Sequence, residues 1–330
     1  MFAQKFFTLF PPPKFLNVPY AGLDISDDAV RCIEYVPTGS RLAIHRYGTK
    51  LLPPGTIEGG EIKNDKVLQE TIAALCGELK VHVVKASLQE EKMYLFKTEV
   101  SSTNEKEIRQ SVEFKLEENV PLAAAEAIFF FDALPKVVET DANYVSVSVA
   151  PRPLVLSYLD LIKSAGVTVL SFEVQAKAIA HSLSVRGSVE TEMIVYIMGA
   201  KTGIYIICGG VVCFTSTISW GSRLLAESKD SKATFRELKK QLEQVHLYWS
   251  EHAHGSISRI VFAGRAALTD GLLSECSAGF LGQSETKIHF ELGKVWQNAF
   301  SYDAYIPPIP YEDSLDYAVA AGLALPPILQ

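Results

Sequence analysis

The feature that most constrains the fold is an order of predicted elements that occurs twice along the chain. Apolar alternation and turn residues predict three consecutive strands, then a helix with one apolar side that begins at about Asp65, then a fourth strand. These first four strands are predicted at residues 20–26, 29–36, 41–52 and 81–87. The same order restarts near residue 191. Two copies of one pattern indicate two related α/β lobes that face each other across a cleft.

The second copy begins in the most apolar part of the chain. Residues 193–214 are nearly all apolar and form a run long enough to cross a bilayer as a helix. However, polar and glycine residues at 201–203 and 209–210 interrupt this run at regular intervals, and β-branched residues lie between them. Buried strands explain this pattern better than a membrane helix. We therefore expect strands at 192–198, 203–208, 211–217 and 257–262, with a long helix over about 234–252.

A small α/β subdomain is predicted to interrupt the first lobe. It contains strands at its two ends and a helix that begins with a capping box of Ser102 and Glu105. A helix over 154–165, which Gly166 ends, returns the chain to the first lobe. The predicted units are an N-terminal tail (1–17), a first lobe (18–92 and 151–187), the inserted subdomain (93–150) and a second lobe (188–330).

Composition excludes some classes of partner and leaves one question open. The formal net charge is −7 and no basic stripe is present, so a nucleic acid partner is not expected. Five scattered cysteines without a CxxC pair predict reduced thiols in the cytosol and no metal site. If the tail is helical, Phe2, Phe6 and Leu9 share one face, which could contact a membrane or a partner. The alternative is a frayed tail without such a contact.

The first predicted hairpin carries the residues from which a family resemblance starts. Gly22, Asp24 and Ser26 precede a tight acidic turn at residues 27–28, and Arg31 follows that turn. In two-lobed phosphate-binding folds, backbone N–H groups of such hairpins point at phosphate oxygens, and an Asp positions Mg²⁺ or water. With this start the chain resembles the actin-like superfamily, and within it the PilM family of pilus-assembly proteins.

Three further stretches resemble the same family. Residues 52–62 are similar to a loop that PilM proteins share with their relative FtsA, 112–121 to a helix and proline turn of the PilM insertion, and 317–325 to the terminal helix. The resemblance covers about residues 18–325, and the order of the motifs is more specific than any one of them. It implies an α/β, actin-like (ribonuclease H-like) two-lobed fold with a small inserted αβ subdomain.

The resemblance also implies a site for ATP and Mg²⁺ between the lobes, from which this sequence departs. Ser26 replaces a usual glycine, two carboxylates follow it, and the second hairpin at 195–198 lacks the acidic residue that would hold Mg²⁺ or orient water. Carboxylates beside a triphosphate repel it. ATP and Mg²⁺ are therefore doubtful cofactors and no turnover is expected. If binding is retained, the candidate residues are Gly22, Asp24, Ser26, Arg31, Lys201, Thr202, Gly203 and Gly264.

Each of these candidates has a purely structural alternative. For Asp24 we favour a role in capping the following turn over Mg²⁺ binding, because the second hairpin lacks its acidic residue. Arg31 is as well explained by a solvated strand end, and Lys201 and Thr202 by a polar turn. Gly264 is expected to satisfy a backbone shape whether or not nucleotide binds.

The resemblance further implies a cytosolic adaptor that lies at the cytoplasmic face of the inner membrane through its partners. PilM-like proteins bind the N-terminal cytosolic tail of a single-pass membrane protein, PilN, as an extended peptide beside the inserted subdomain. Candidate groove residues are Phe96, Phe114 and Leu116, for each of which ordinary subdomain packing is the alternative. Pilus motor ATPases and further copies of the chain are additional partners that the resemblance implies.

Three functions are compatible with these patterns, and we favour the adaptor. Pilus biogenesis and type II secretion share this adaptor, and the sequence does not separate them. An FtsA-like cell-division protein that polymerises at the membrane is the first alternative, although such proteins usually end in a basic amphipathic helix that residues 326–330 do not resemble. A sugar kinase or other phosphotransferase would need an acidic base and intact phosphate hairpins.

Overall fold

The computed structural model describes residues 18–39, 41–135, 143–252, 255–281, 288–301 and 303–327. The predicted N-terminal tail at residues 1–17, with the apolar face assigned to it, lies outside the described residues.

The first lobe begins with the strands and the helix that the sequence predicts, with a small hairpin between them. Its elements are β1 (Ala21–Ile25), β2 (Ala29–Thr38), β3 (Arg41–Leu51), β4 (Ile57–Glu58), β5 (Glu61–Ile62), α1 (Asp65–Leu79) and β6 (Val83–Leu88). Helix α1 begins where the Asn64 side chain accepts a hydrogen bond from the N–H of Val67. It ends at Lys80, which has the left-handed conformation typical of a helix C-terminus.

The inserted subdomain follows β6 and consists of a three-stranded antiparallel sheet, in the order β7-β9-β8, with one helix. Its elements are β7 (Tyr94–Val100), α2 (Glu105–Asn119), β8 (Ala127–Ala133) and β9 (Asn143–Pro151). The residue that caps α2 is Asn104, whose side-chain oxygen accepts from the N–H of Lys106. The predicted capping box is therefore wrong: Ser102 lies two residues too early and accepts from the N–H of Asn104 instead.

The chain then returns to the first lobe through α3 (Arg152–Ser164), β10 (Thr168–Val174) and α4 (Gln175–Leu183). Gly166, with φ of +81°, makes the turn between α3 and β10. The completed five-stranded sheet has the order β10-β6-β1-β2-β3, in which β6 and β10 run parallel to β1. Helices α1 and α3 pack against the outer face of this sheet.

The second lobe repeats the topology of the first. Its elements are β11 (Thr191–Ile197), β12 (Thr202–Cys208), β13 (Val211–Ile218), α5 (Ser222–Glu227), α6 (Ser231–His252), β14 (Ile257–Ala263), α7 (Leu272–Ser277), β15 (His289–Leu292), α8 (Tyr311–Ser314) and α9 (Ala318–Ala324). The sheet order β13-β12-β11-β14-β15 matches that of the first sheet strand by strand. The apolar run at 193–214 thus forms strands. Across the described ranges, no helix combines the length and the apolar character needed to cross a bilayer.

Two helices, α4 and α9, lie between the two sheets. Their side chains belong to one buried cluster that also includes residues of both sheets. Helix α9 falls within the predicted second lobe (188–330), and it packs on β1, β2 and β6 of the first sheet. Its small residues allow this approach: a Cβ on Gly22 of β1 would lie 2.0 Å from the carbonyl oxygen of Ala320.

The crossing of α9 and α4 generates a test of this arrangement. A Cβ on Gly322 would lie 1.8 Å from the carbonyl oxygen of Ala178, and that oxygen belongs to a helix backbone that cannot move aside locally. We expect Gly322→Ala to lower the free energy of unfolding by about 3 kcal/mol, as measured by urea denaturation.

The matched control is the exposed glycine of α1, Gly77, around which no atom lies within 4 Å of the position of a Cβ. Gly77→Ala is expected to raise the free energy of unfolding by about 0.5–1 kcal/mol, because alanine favours the helix. Equal effects of the two substitutions would contradict the close crossing of α4 and α9.

Candidate functional site

The turns of the two equivalent hairpins, β1–β2 and β11–β12, meet at the cleft between the lobes. A cavity of ≈ 430 Å³ opens beside them. Asp28 and Arg31 line it from the first lobe, and residues 196–199, Arg265 and Asp316 line it from the other side. The cavity therefore lies at the position that the sequence predicts for a ligand, and its walls carry both acidic and basic groups.

Asp24 lies at the end of β1 and is completely buried. Its Oδ1 accepts hydrogen bonds of 3.0 Å from the hydroxyl of Ser87 and of 3.0 Å from the side-chain amide of Gln175. Its Oδ2 faces the Arg31 guanidinium at 3.8 Å. Burial raises the pKa of Asp24 to about 6, against the opposing effects of Arg31 and the two hydrogen bonds. The carboxyl group is thus fixed by strand β6 and helix α4.

The predicted role of Asp24 as a cap of the following turn is wrong, because Ser26 takes that role. The Ser26 hydroxyl donates to Asp28 Oδ1 at 2.7 Å and accepts from the N–H of Ala29 at 3.3 Å. A serine side chain can bridge the two arms of a tight turn in this way, which a glycine could not do.

Arg31 is nearly buried and lies among three carboxylates. Its guanidinium nitrogens lie 3.8 Å from Asp24, 3.7 Å from Asp28 and 3.9 Å from Asp316. Asp316 is in the turn between α8 and α9, so this arginine joins the first hairpin to the segment that returns from the second lobe. The alternative of a solvated strand-end arginine is therefore wrong.

Lys201, in the turn of the second hairpin, forms the main ionic contact across the cleft. Only 7% of the residue is exposed. Its ammonium group donates to Asp27 Oδ2 at 2.9 Å, to Gln89 Oε1 at 2.5 Å and to the carboxylate of Glu91. All three acceptors precede the inserted subdomain in the chain. We call this set of hydrogen bonds the Lys201 contact.

Two of these acceptors belong to a short turn after β6 that the sequence patterns did not single out. Gln89 Nε2 also donates to the carbonyl oxygen of Ile25 at 3.2 Å. Glu90 is buried, accepts from the N–H of Ala176 at the start of α4, and lies 3.4 Å from the hydroxyl of Tyr205 on β12. Glu90 thus caps the N-terminus of α4, because the residue that precedes this helix, Val174, makes no capping hydrogen bond with its side chain. An acidic pair directly after a buried strand is the signal that could have revealed this turn.

The remaining candidates from the sequence have packing roles. Gly22 contacts α9, as described above. Thr202 donates to the carbonyl oxygen of Trp220 at 2.6 Å. A Cβ on Gly203 would lie 2.0 Å from the Tyr205 hydroxyl, and one on Gly264, with φ of +85°, would lie 2.0 Å from the backbone of β11. Among the candidates, Asp24, Ser26 and Arg31 therefore belong to one polar cluster with Asp28 and Asp316. Lys201 forms a separate set of contacts with Asp27, Gln89 and Glu91.

These contacts do not fit a Mg²⁺-bound triphosphate. The cations of the two hairpins, Arg31 and Lys201, are surrounded by carboxylates of the protein itself. A third cation that lines the cavity, Arg265, pairs with Asp313. Asp28 also fills the space between the hairpins, because a Cβ on Gly199 would lie 3.3 Å from its side chain. Within the described ranges, no group of three His, Cys, Asp or Glu residues is arranged to hold a metal ion.

The three candidate groove residues of the insertion do not share one surface. Leu116 is fully buried in the subdomain core, and Phe96 is half-buried against it. Phe114, in contrast, lies on the outer face of α2 with 82% of its area exposed. The prediction is therefore wrong for Leu116, because the apolar period of α2 puts that residue, with Ile108 and Val112, on the sheet side.

Comparison with known families decides what kind of protein carries this arrangement. A family model described as type IV pilus assembly protein PilM matches residues 22–232. The chain belongs to the PilM family. No curated protein sequence matches it significantly.

Solved structures establish the fold of this PilM-family protein. It matches a chain of the PilM-PilN type IV pilus biogenesis complex with a TM-score of 0.75 and 19% identity, over 93% of this chain and 98% of that one. The predicted actin-like fold is thereby confirmed. Weaker likenesses are to the cytoplasmic domain of EpsL from Vibrio cholerae (TM-score 0.46, 9% identity, 74% and 82% covered) and to EutJ from Carboxydothermus hydrogenoformans (0.47, 13%, 95% and 90%).

The buried Glu90 predicts how the stability of this PilM-family protein depends on pH. Burial raises its pKa from 4.5 to about 7, partly offset by its hydrogen bond to the N–H of Ala176. Because the folded state then holds the proton more tightly than the unfolded chain, this contribution to stability is full below about pH 4.5 and is lost as the pH rises through about 7. We expect the Tm of the wild type to fall over this interval more steeply than that of Glu90→Gln.

The measurement is thermal unfolding followed by circular dichroism at a series of pH values. Asp24 titrates in the same range but is present in both proteins, so the difference between the two slopes isolates Glu90. Glu91, Lys201 and Tyr205 face the same carboxyl group and are also unchanged. Parallel slopes would show that Glu90 does not take up a proton in this interval.

Proposed function

We propose that this PilM-family protein is an adaptor in the inner-membrane assembly platform of a type IV pilus or a related type II secretion system. In this role it binds the cytosolic tail of a PilN-like single-pass membrane protein and is held at the cytoplasmic face of the membrane by that partner. The observation that carries the proposal is the shared fold over nearly the whole length of a PilM chain in complex with PilN. Pilus motor ATPases and self-assembly stay predictions from the family resemblance.

The surface that we propose for the tail lies on the inserted subdomain. Of the predicted groove residues, Phe114 is the one whose side chain is available to a partner. A large exposed aromatic residue on an otherwise charged helix face is typical of a contact residue. Its neighbours along α2 are Glu113, Lys115, Glu117 and Glu118, so a partner tail with basic residues beside an apolar one would match this face.

This proposal predicts saturable binding of a synthetic peptide with the sequence of that tail. Fluorescence anisotropy with a labelled peptide measures the Kd, and Phe114→Ala is expected to raise it by about tenfold because an aromatic contact is lost. Val189→Ala, which truncates another residue that is 82% exposed but lies in the second lobe, is the matched control.

Two outcomes of this experiment count against different parts of the proposal. No binding to the wild type, with or without Mg-ATP, would overturn the adaptor function and favour the FtsA-like alternative. Binding that both variants retain unchanged would place the tail on a surface away from Phe114.

We also propose that the nucleotide site is degenerate and that the lobes are held together by their own charges. The Lys201 contact spans the cleft where a nucleotide would otherwise bridge the two hairpins. Residues 197–198 of the second hairpin are Ile and Met, which cannot hold Mg²⁺ or orient an attacking water. An adaptor that binds a peptide does not need hydrolysis for that function.

The expected result is that Mg-ATP hydrolysis does not exceed the background of the buffer in a phosphate-release assay. The matched variant is Asp24→Asn, which removes the buried carboxylate of the first hairpin. Turnover by the wild type that this variant abolishes would overturn the degenerate-site proposal, because it would show a working Mg²⁺ site. Turnover that persists in the variant would indicate a contaminating ATPase.

A further inference from the structure

The turn after β6 is also the covalent connection to the inserted subdomain. Residues 89–92, which we call the cleft linker, directly follow β6 of the first sheet, and only Met93 separates them from β7 of the insertion. Because a single connecting residue spans only a short distance, a displacement of the linker also moves the start of β7. The position of the insertion therefore depends on what holds the linker.

Contacts from both lobes hold this linker. Gln89 binds the carbonyl oxygen of Ile25 in the first lobe and Lys201 in the second. Glu90 accepts from the N–H of Ala176 in the helix between the sheets and from the hydroxyl of Tyr205 in the second lobe. Two successive side chains thus bridge the lobes, so a change in the angle between the lobes cannot leave the linker in place.

Charge and burial make the Lys201 contact hard to replace by water. Lys201 is nearly buried, and the side chains of Asp27 and Glu91 are each only 18% exposed. Removal of one partner leaves the others as unpaired charges in a region that water reaches poorly. The contact is therefore expected to be either complete or broken, rather than gradually weakened.

Other contacts also anchor the insertion, and several of them lie away from the linker. Arg152 at the start of α3 donates to the carbonyl oxygen of Ala125 at 3.1 Å. The hydroxyl of Ser146 on β9 donates to the carbonyl oxygen of Val212 on β13 at 2.6 Å, which fixes the insertion to the edge of the second sheet. Lys177 of α4 pairs with Asp132 of β8 at 2.8 Å. The subdomain thus spans the two lobes, and it must shift against at least one of them when the lobes rotate.

We propose that the cleft linker couples the angle between the lobes to the position of the inserted subdomain, with the Lys201 contact as the element that both depend on. When this contact is intact, the lobes are closed and β7 is held in place. When it breaks, the linker is released and the small sheet moves or loosens. Since we propose that the partner tail binds the insertion, a further step that rests on the proposed function is that breaking the contact weakens tail binding.

The test is hydrogen–deuterium exchange of the full chain, followed by mass spectrometry, without any partner present. Lys201→Met and Glu91→Gln each remove part of the contact. Both are expected to speed amide exchange in β7 and β9 by about tenfold, because the closed state of the insertion becomes less stable relative to its locally open state. The double variant is expected to exchange no faster than the faster single variant, because both act on one contact. The matched control is Lys92→Met in the same linker. The ammonium group of Lys92 pairs with Glu61 of the first lobe, and its side chain is 44% exposed.

The outcomes separate the coupling from a local effect. Faster exchange that is confined to the β11–β12 hairpin, with β7 and β9 unchanged, would overturn the proposal. The proposal would also be overturned if Lys92→Met sped exchange in the insertion as much as Glu91→Gln does. If Lys201→Met fails to fold, Glu91→Gln, which keeps the size of the side chain and changes only its charge, decides the question alone.

A second readout separates this inference from the proposed function. The Kd for the tail peptide is expected to rise by about tenfold in Glu91→Gln and to stay unchanged in Lys92→Met. If the wild type does not bind the peptide, the adaptor function fails, but the exchange experiment still decides the coupling. If exchange changes while the Kd does not, the lobes and the insertion are coupled without control over the partner, and the step from coupling to binding is overturned.

Discussion

The burial of an ammonium group between two lobes is the constraint on which the rest of this structure depends. A buried charge needs paired acceptors, because the free energy of removing it from water is otherwise not recovered. Lys201 finds these acceptors only if the first hairpin, the turn after β6 and the second hairpin all meet at the cleft. The same need explains the acidic turn of the first hairpin, which is unfavourable beside phosphate but favourable beside lysine and arginine.

The helices between the sheets make this meeting possible. Both α4 and α9 present alanine and glycine where they cross, so the two sheets can approach without large side chains between them. Glu90 then links the helices to the cleft, because its carboxylate accepts from the first turn of α4. Packing and charge therefore depend on each other: the helices fix the distance between the lobes, and the polar turn fixes their relative position at the cleft.

The fold could be predicted from the sequence because the patterns that indicate its strands, helices and turns are local and occur twice. The strand and helix periods occur twice in the same order, and glycines mark the turns, as at Gly166 and at residues 209–210. Local signals were less informative about interfaces between elements. Leu116 and Phe114 lie two residues apart and therefore on opposite faces of a helix, and residue type alone does not separate the one that packs on the sheet from the one that is exposed. Nor does the sequence order reveal that α9 returns to the first sheet.

The candidate site was predictable to the extent that one hairpin defines it. Asp24, Ser26 and Arg31 are close in sequence and therefore close in space, and the repeat places Lys201 opposite Asp27 of the same hairpin. The turn at residues 89–91 (Gln-Glu-Glu) could not be found in this way, since adjacent acidic residues are ordinarily exposed and this turn contacts a lysine more than a hundred positions later. Long-range charge pairing is a property of the folded chain, not of a local pattern.

The return of α9 to the first sheet determines when the first lobe can be finished during synthesis. The inner face of β1 and β2 is covered by residues 318–324, which the ribosome adds after the whole second lobe. Until then the nascent chain has a complete outer face, packed by α1 and α3, but an uncovered apolar surface on the other side. The two lobes are similar in topology, yet their maturation is not sequential. The lobe that is translated first becomes complete last, so the chain cannot present a finished first lobe until the second has been made.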